Sequence, residues 1–122
     1  MCSSDLPEKA VELLADIRDK KQEYFVCLTL DGANRLIAKR VVTIGTLTAS
    51  LVHPREVFAD AIADRAASII VAHNHPSGSL EASQADKEVT NRLAEAGKLL
   101  GITLNDHIIV TKTDYKSLLH PE

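Results

Sequence analysis

The sequence is poor in aromatic residues and in cysteine. Its 122 residues contain two Phe, two Tyr and no Trp. The core must therefore be built from Ala, Ile, Leu and Val, and a nucleic-acid platform that stacks bases on aromatic rings has almost nothing to use. The two cysteines, Cys2 and Cys27, are far too few for a disulfide scaffold. We therefore expect a cytoplasmic protein.

A strong excess of one charge and long apolar runs are also lacking. The 14 Lys and Arg against 17 Asp and Glu give a formal net charge of −3. This balance does not support nucleic-acid binding by a phosphate-neutralising surface. The longest uninterrupted apolar run, residues 24–28, is far shorter than the ~20 residues that span a bilayer. We therefore expect a soluble protein that does not bind membranes.

The length predicts one domain, and the unusual feature of the composition is five histidines. Chains of about 100 to 150 residues typically form one continuous core, so we assign residues 1–122 to a single domain. Residues 1–6 are expected to be a disordered or vector-derived start. Among the histidines, His53 precedes a proline and indicates a helix start, whereas His120 lies in a tail that we expect to fray.

Hydrophobic periodicity predicts alternating helices and strands in the order αββαβαβ. This order is typical of an α/β domain with a mixed sheet flanked by helices. The predicted helices span residues 7–20, 54–65 and 83–100, the predicted strands span 24–30, 36–44, 68–72 and 102–111, and a final turn spans 115–119.

Polar residues that can bind a metal follow the apolar strand 68–72. His73 and His75 are two residues apart, and in extended backbone such side chains point to the same side, so both can meet one ion. Asp86 is a candidate third ligand, because the apolar members of its helix face must pack on the sheet and so turn the carboxylate inward. That predicted face consists of Asp86, Val89, Leu93, Ala96 and Leu100.

Two imidazoles and one carboxylate are typical of a catalytic zinc site with one open position. Zinc lowers the pKa of its bound water to about 7, and a nearby base is then needed to take and deliver a proton. Glu23 and Glu56 are both candidates. Glu56 lies in the first turn of a predicted helix, where the helix dipole already explains a carboxylate, so the pattern slightly favours Glu23.

The spacing of these residues resembles the JAMM (MPN+) metallopeptidase motif. His73 and His75 are followed after seven residues by Ser83 and after two more by Asp86, with Glu23 upstream. The wider context, over about residues 8–111, is similar to the bacterial RadC family of JAMM proteins. The segments that carry this likeness are residues 34–37, 44–47, 52–58, 73–78 and 106–109.

The resemblance implies a JAMM/MPN-type fold with layering similar to that of cytidine deaminases. It implies that His73, His75 and Asp86 hold Zn²⁺, that Glu23 is the general acid/base, and that Ser83 steadies the water or the tetrahedral intermediate. The implied reaction is hydrolysis of an amide or isopeptide bond in a peptide or protein substrate. A homodimer is a further expectation.

Several of these residues also have a purely structural explanation. Ser83 is explained as the N-cap of the third helix, and Asp86 as the N3 residue of a capping box. His107, next to Asp106 in an apolar strand, either orients a ligand imidazole or donates to backbone. Two functional alternatives stay open as well: a non-catalytic interaction module, and a DNA-maintenance factor as the family's DNA-repair label suggests.

Overall fold

The computed structural model of the chain describes residues 6–45 and 52–120. Its elements follow the predicted order, with one additional strand near the end. The helices are α1 (Leu6–Leu13), α2 (Pro54–Ala63) and α3 (Gln84–Leu100), and a short 3-10 turn spans Ala15–Ile17. The strands are β1 (Tyr24–Leu30), β2 (Leu36–Ile44), β3 (Ser68–Asn74), β4 (Thr103–Val110) and β5 (Tyr115–Ser117).

The five strands form one mixed sheet in the order β2-β1-β3-β4-β5. β1 pairs antiparallel with both β2 and β3, and β5 pairs antiparallel with β4. The central pair, β3 and β4, is parallel and is connected through α3. The predicted fold class, a mixed sheet flanked by helices, is confirmed.

Apolar clusters cover both faces of the sheet. α2 and α3 pack on one face, where their Phe58 and Leu93 join Phe25 of β1 in a single core cluster. α1 and the 3-10 turn pack on the other face against Val26 and Ile70. All seven residues of β3 are buried, as its apolar run predicts.

The orientation of α3 decides where Asp86 points. A capping box at Ser83 fixes the start of α3, and Gly101 ends the helix in the left-handed conformation, with φ 74°. Gly97 lies against the entry to β4, where an added Cβ would clash with the backbone oxygen of Ile102. The close approach at Gly97 fixes the rotation of α3 and directs Asp86 toward the end of β3.

The predicted face of α3 is partly wrong. Leu100 is 48% exposed, whereas Ala96 is half-buried and packs against the core, so the prediction fails only at Leu100. The buried stripe instead passes through Thr90 and Gly97, because α3 packs with Gly97 against the backbone of Ile102. Its members are Asp86, Val89, Thr90, Leu93 and Gly97.

Both ends of the chain also differ from the prediction. α1 ends at Leu13, and only the 3-10 turn continues toward the predicted end near residue 20. Residues 1–5 of the predicted disordered start lie outside the described residues, and Leu6 already belongs to α1. The predicted final turn is strand β5.

No helix in residues 6–45 or 52–120 is long and apolar enough to cross a membrane.

The tail is also more ordered than predicted. His120 donates from its ring Nε2 to the backbone oxygen of Asn105 at 2.9 Å, and its backbone nitrogen donates to Ser117 Oγ. His53 precedes Pro54 in extended conformation at the start of α2, as predicted.

Candidate metal centre

The candidate site lies at the carboxyl end of β3. The strand continues two residues beyond its predicted end, so His73 and Asn74 are its last residues and His75 follows it directly. His73 is 1% exposed, and its ring stacks on Phe25 with the ring centroids 6.1 Å apart. The central parallel pair therefore holds His73 rigidly, while His75 lies at the edge of a cavity.

Three side chains converge at this point. His73 Nε2 lies 2.8 Å from His75 Nε2 and 2.9 Å from Asp86 Oδ1. Asp86 Oδ2 lies 3.4 Å from His75 Nε2. The structure thus brings together the three residues that the H-x-H pattern and the helix face suggested. His107 lies close to the same point, because one ring nitrogen of His107 and one ligand atom each of His73 and Asp86 all lie within 4.8 Å of one another.

The donors and acceptors of this cluster match a cation. His75 Nδ1 lies 2.8 Å from the backbone oxygen of Ser79, which can only accept, so the ring proton is on Nδ1 and Nε2 carries a lone pair. A carboxylate and ring nitrogens facing one another repel unless a proton or a metal ion lies among them. Ligand atoms on a tetrahedral zinc ion stand about 3.3 Å apart, close to the separations of 2.8–3.4 Å. The residues therefore fit a divalent metal.

The electrostatics favour positive charge at the same point. Burial by itself would raise the pKa of Asp86, but the adjacent imidazoles of His73 and His75 outweigh it and hold that pKa well below its usual range. The adjacent Asp86 carboxylate raises the pKa of His75 despite partial burial, and the charge of Glu23 adds to this. A site that favours a proton on His75 also favours a metal ion in its place.

A cavity of about 780 Å³ opens onto the cluster. Glu23 and Ser83 line this cavity together with His75 and Asp86. Ser83 Oγ accepts from the backbone nitrogen of Asp86 at 3.0 Å, so its capping role and its position at the cavity coexist. Glu56, the other candidate base, is in the first turn of α2 and does not line this cavity.

Asn74 was missed by the sequence reasoning. Asn74 stands between the two histidines in the sequence, and its side chain is fully buried. Asn74 Oδ1 accepts from the backbone nitrogen of Tyr24 at 2.6 Å, and Nδ2 donates to the backbone oxygens of Gln22 and Lys20. These bonds tie the segment that carries Glu23 to the end of β3. An amide in a buried strand, which needs buried partners, was the available signal.

His107 contacts the site from behind. Its Nε2 lies 3.0 Å from His73 Nδ1, and its Nδ1 lies 2.6 Å from Thr90 Oγ1. Burial, and then the nearby His73, lowers the pKa of His107 to about 3, so the ring is neutral at physiological pH. The sequence left open whether His107 orients another imidazole or donates to backbone. The ring contacts of His107 are to side chains, one of them the imidazole of His73, which supports the first explanation. Thr90 was not predicted.

Comparison with known proteins places the chain beside one family. Residues 4–122 match the family described as the RadC-like JAB domain. A UPF0758 protein of the archaeon Methanospirillum hungatei is 57% identical over 86% of this chain and 47% of its own length. UPF0758 proteins of Bacillus licheniformis and Bacillus subtilis, the latter called YsxA, are 52% and 50% identical over 92% of this chain and 50% and 49% of their own lengths. The chain thus spans about half the length of these relatives.

Proposed function

Because this chain belongs to the RadC-like JAB domain family, we propose that it is a metal-dependent hydrolase of the cytoplasm that cleaves a peptide or isopeptide bond. His73, His75 and Asp86 hold the metal, for which zinc is our choice. Glu23 is the general acid/base, and Ser83 binds the oxygen of the group under attack.

The observation that carries this proposal is the convergence of three metal-binding atoms at the edge of a cavity. His73 Nε2, His75 Nε2 and Asp86 Oδ1 approach one another, and Asp86 and His75 also line the cavity. Three protein ligands with an accessible side are typical of catalytic zinc, whereas structural zinc is usually closed by four. The arrangement therefore favours chemistry over a structural role for the metal.

Glu23, Ser83 and Asn74 each have a distinct task in hydrolysis. Bound zinc supplies Lewis acidity and brings the pKa of its water to about 7. The Glu23 carboxylate takes a proton from the attacking water and delivers it to the leaving nitrogen. Ser83 Oγ accepts from the backbone nitrogen of Asp86, which leaves its own proton to be donated to an oxygen of the substrate. Asn74 keeps the segment carrying Glu23 in place.

Peptides are the proposed substrate class because of the shape and polarity of the cavity. Its volume of about 780 Å³ is large enough for several residues of an extended chain. Its walls carry both charges and hydroxyls, among them Lys21, Glu23, Ser77 and Glu81. Such walls suit the amide groups of a peptide better than an apolar ligand.

The test combines metal analysis with hydrolysis of a peptide library and of isopeptide-linked substrates. We expect about one zinc per chain, lost in the His73→Ala/His75→Ala double variant. Glu23→Gln should retain zinc and lose turnover by about 100-fold or more, since general acid–base catalysis contributes roughly 10²–10⁴-fold. Glu88→Gln, which removes an exposed carboxylate on the outer side of α3, is the matched control and should behave as wild type.

Two outcomes would contradict the proposal. A wild-type protein that takes up no zinc from solution has no such site. Full zinc occupancy without turnover of any substrate, together with unchanged partner binding by Glu23→Gln, would instead support a non-catalytic interaction module.

A further inference from the structure

We propose that His107 and Thr90 are positioning residues that fix the ring proton of His73 on Nδ1, so that His73 Nε2 presents a lone pair to the metal. The inference rests on the metal site of the proposed function. It concerns two residues, on β4 and α3, that lie behind the site and do not contact the metal.

The argument starts from the single proton of the Thr90 hydroxyl. Thr90 Oγ1 lies 2.8 Å from the backbone oxygen of Asp86, one helical turn earlier, and 2.6 Å from His107 Nδ1. A carbonyl oxygen can only accept, so the hydroxyl donates its proton to Asp86. The hydroxyl oxygen must then accept from His107, which places the ring proton of His107 on Nδ1.

The proton on Nδ1 determines what the other side of the His107 ring can do. A neutral imidazole with its proton on Nδ1 is an acceptor at Nε2. His107 Nε2 lies 3.0 Å from His73 Nδ1, so His73 donates there and its proton is on Nδ1. His73 Nε2 then carries a lone pair, and it is this atom that faces Asp86 Oδ1 and His75 Nε2.

Metal-binding histidines usually donate their second ring nitrogen to a carboxylate or a carbonyl, groups that can only accept. A histidine as the partner of a metal-binding histidine can either accept or donate. If His107 donated to His73 Nδ1, the proton of His73 would lie on Nε2, where it would block the metal. Thr90 removes this ambiguity, since its bond to the Asp86 carbonyl leaves one direction available. The same residue, Asp86, thus supplies a carboxylate oxygen to the metal site and a backbone oxygen to the hydrogen-bond chain.

Burial keeps water from competing with this chain of bonds. His107 is fully buried and Thr90 is 8% exposed. Phe25 packs against both rings, stacked on His73 and edge-on to His107 with the centroids 5.8 Å apart. The two rings are held on neighbouring parallel strands, so neither can turn away without breaking the centre of the sheet.

The direct test is the protonation pattern of the rings in the zinc-bound protein. In protein with ¹⁵N-labelled histidine, long-range ¹H–¹⁵N spectra should show protonated Nδ1 and unprotonated Nε2 for both His107 and His73. The opposite pattern at His107 in wild type would overturn the proposal, and this measurement needs no variant to fold.

The variant series measures what the arrangement contributes. Thr90→Val keeps the shape and removes the hydroxyl, and we expect zinc affinity, measured by competition with a chromophoric chelator, to fall by about 10- to 100-fold. Thr90→Ser restores the hydroxyl and should recover most of the affinity, which a purely packing role for the methyl group would not predict. Wild-type affinity in Thr90→Val, with unchanged ring protonation, would contradict the proposal, as would a wild-type protein that binds no zinc.

Hydrolysis is measured separately on the same proteins. Zinc bound with the expected ring protonation but no turnover would count against the proposed function and leave this inference standing. Turnover by a protein whose rings show the opposite protonation would overturn this inference and leave the proposed function standing.

Discussion

Two buried carboxylates, Asp86 and Asp106, differ sharply in their surroundings. Asp86 is 1% exposed and Asp106 is fully buried. The oxygens of Asp106 accept from the backbone nitrogens of His107 and Leu119 and from the hydroxyl of Ser117. The oxygens of Asp86 face the ring nitrogens of His73 and His75, besides one backbone bond from Ser83.

The difference lies in the balance of donors and acceptors. Asp106 is matched by donors of the chain itself, and it fastens the segment after β5 to β4. Burial raises its pKa, although the Ser117 hydroxyl and the two backbone donors oppose this. At Asp86 the surrounding groups supply more lone pairs than protons, and the carboxylate stays ionised. A matched buried carboxylate holds structure, whereas one with excess acceptors around it can bind a cation.

The largest expected effect follows from changing Asp86. Asp86→Asn keeps an oxygen that can accept from the backbone nitrogen of Ser83, so the capping box and the fold are retained. It removes the charge and a metal-binding oxygen, and we expect zinc affinity to fall by at least about 100-fold, beyond the effect of losing an outer partner. Chelator competition and circular dichroism on the same sample test this expectation. Unchanged zinc affinity would make the two carboxylates equivalent.

For Asp106→Ala we expect stability to fall and zinc binding to be retained. The variant leaves the backbone nitrogens of His107 and Leu119 without their acceptor, so the free energy of unfolding should fall by about 2–4 kcal/mol. Zinc stoichiometry should remain that of wild type. Urea denaturation and metal analysis test both parts, and Ser117→Ala, which removes one donor to Asp106, should cost less.

A smaller effect is expected at Asn74, which links the metal site to the segment carrying Glu23. Asn74→Asp places a carboxylate oxygen against the backbone oxygen of Gln22, so that segment shifts. We expect turnover to fall by about 10- to 100-fold, since a displacement of about 1 Å of a catalytic group has effects of this size. Amide exchange at Tyr24 should speed up as well.

The matched control for this change is Asn105→Asp. Asn105 Nδ2 donates to Ser68 Oγ at the opposite end of the sheet from the metal site. Its substitution should leave both turnover and the exchange rate at Tyr24 unchanged. Equal effects of the two variants would show that Asn74 acts only through general stability.

The smallest effect concerns pH. Because the pKa of Asp106 in the folded state lies above the unfolded value of 3.8, the native state binds more protons than the unfolded chain between those two values. The Asp106 contribution to stability therefore decreases as pH rises through that window. Asp106→Asn removes this slope, so the stability of the variant relative to wild type should improve as pH rises from 3.8. Denaturation of both proteins from pH 4 to 7 tests the sign, and a difference that does not change with pH would contradict it.

The sequence predicted best where local rules apply. The strands at residues 24–30 and 36–44 were predicted with their exact bounds, because apolar, β-branched runs flank an Asp31-Gly32 turn. The capping box at Ser83 and the Gly101 C-cap were likewise predicted from residue type and spacing. The end of α1 and the rotation of α3 were predicted less well, since packing against the sheet decides both.

The same division applies to the site. His73 and His75 lie two apart at the end of a strand, so the sequence alone determined that both rings reach one side, and the period of α3 turned Asp86 inward. How Asn74, Thr90 and Asp106 act was decided only by the tertiary structure. The physical reason is separation along the chain: Asn74 reaches Tyr24 across 50 residues and His107 reaches His73 across 34. Only the folded sheet brings such groups within hydrogen-bonding distance.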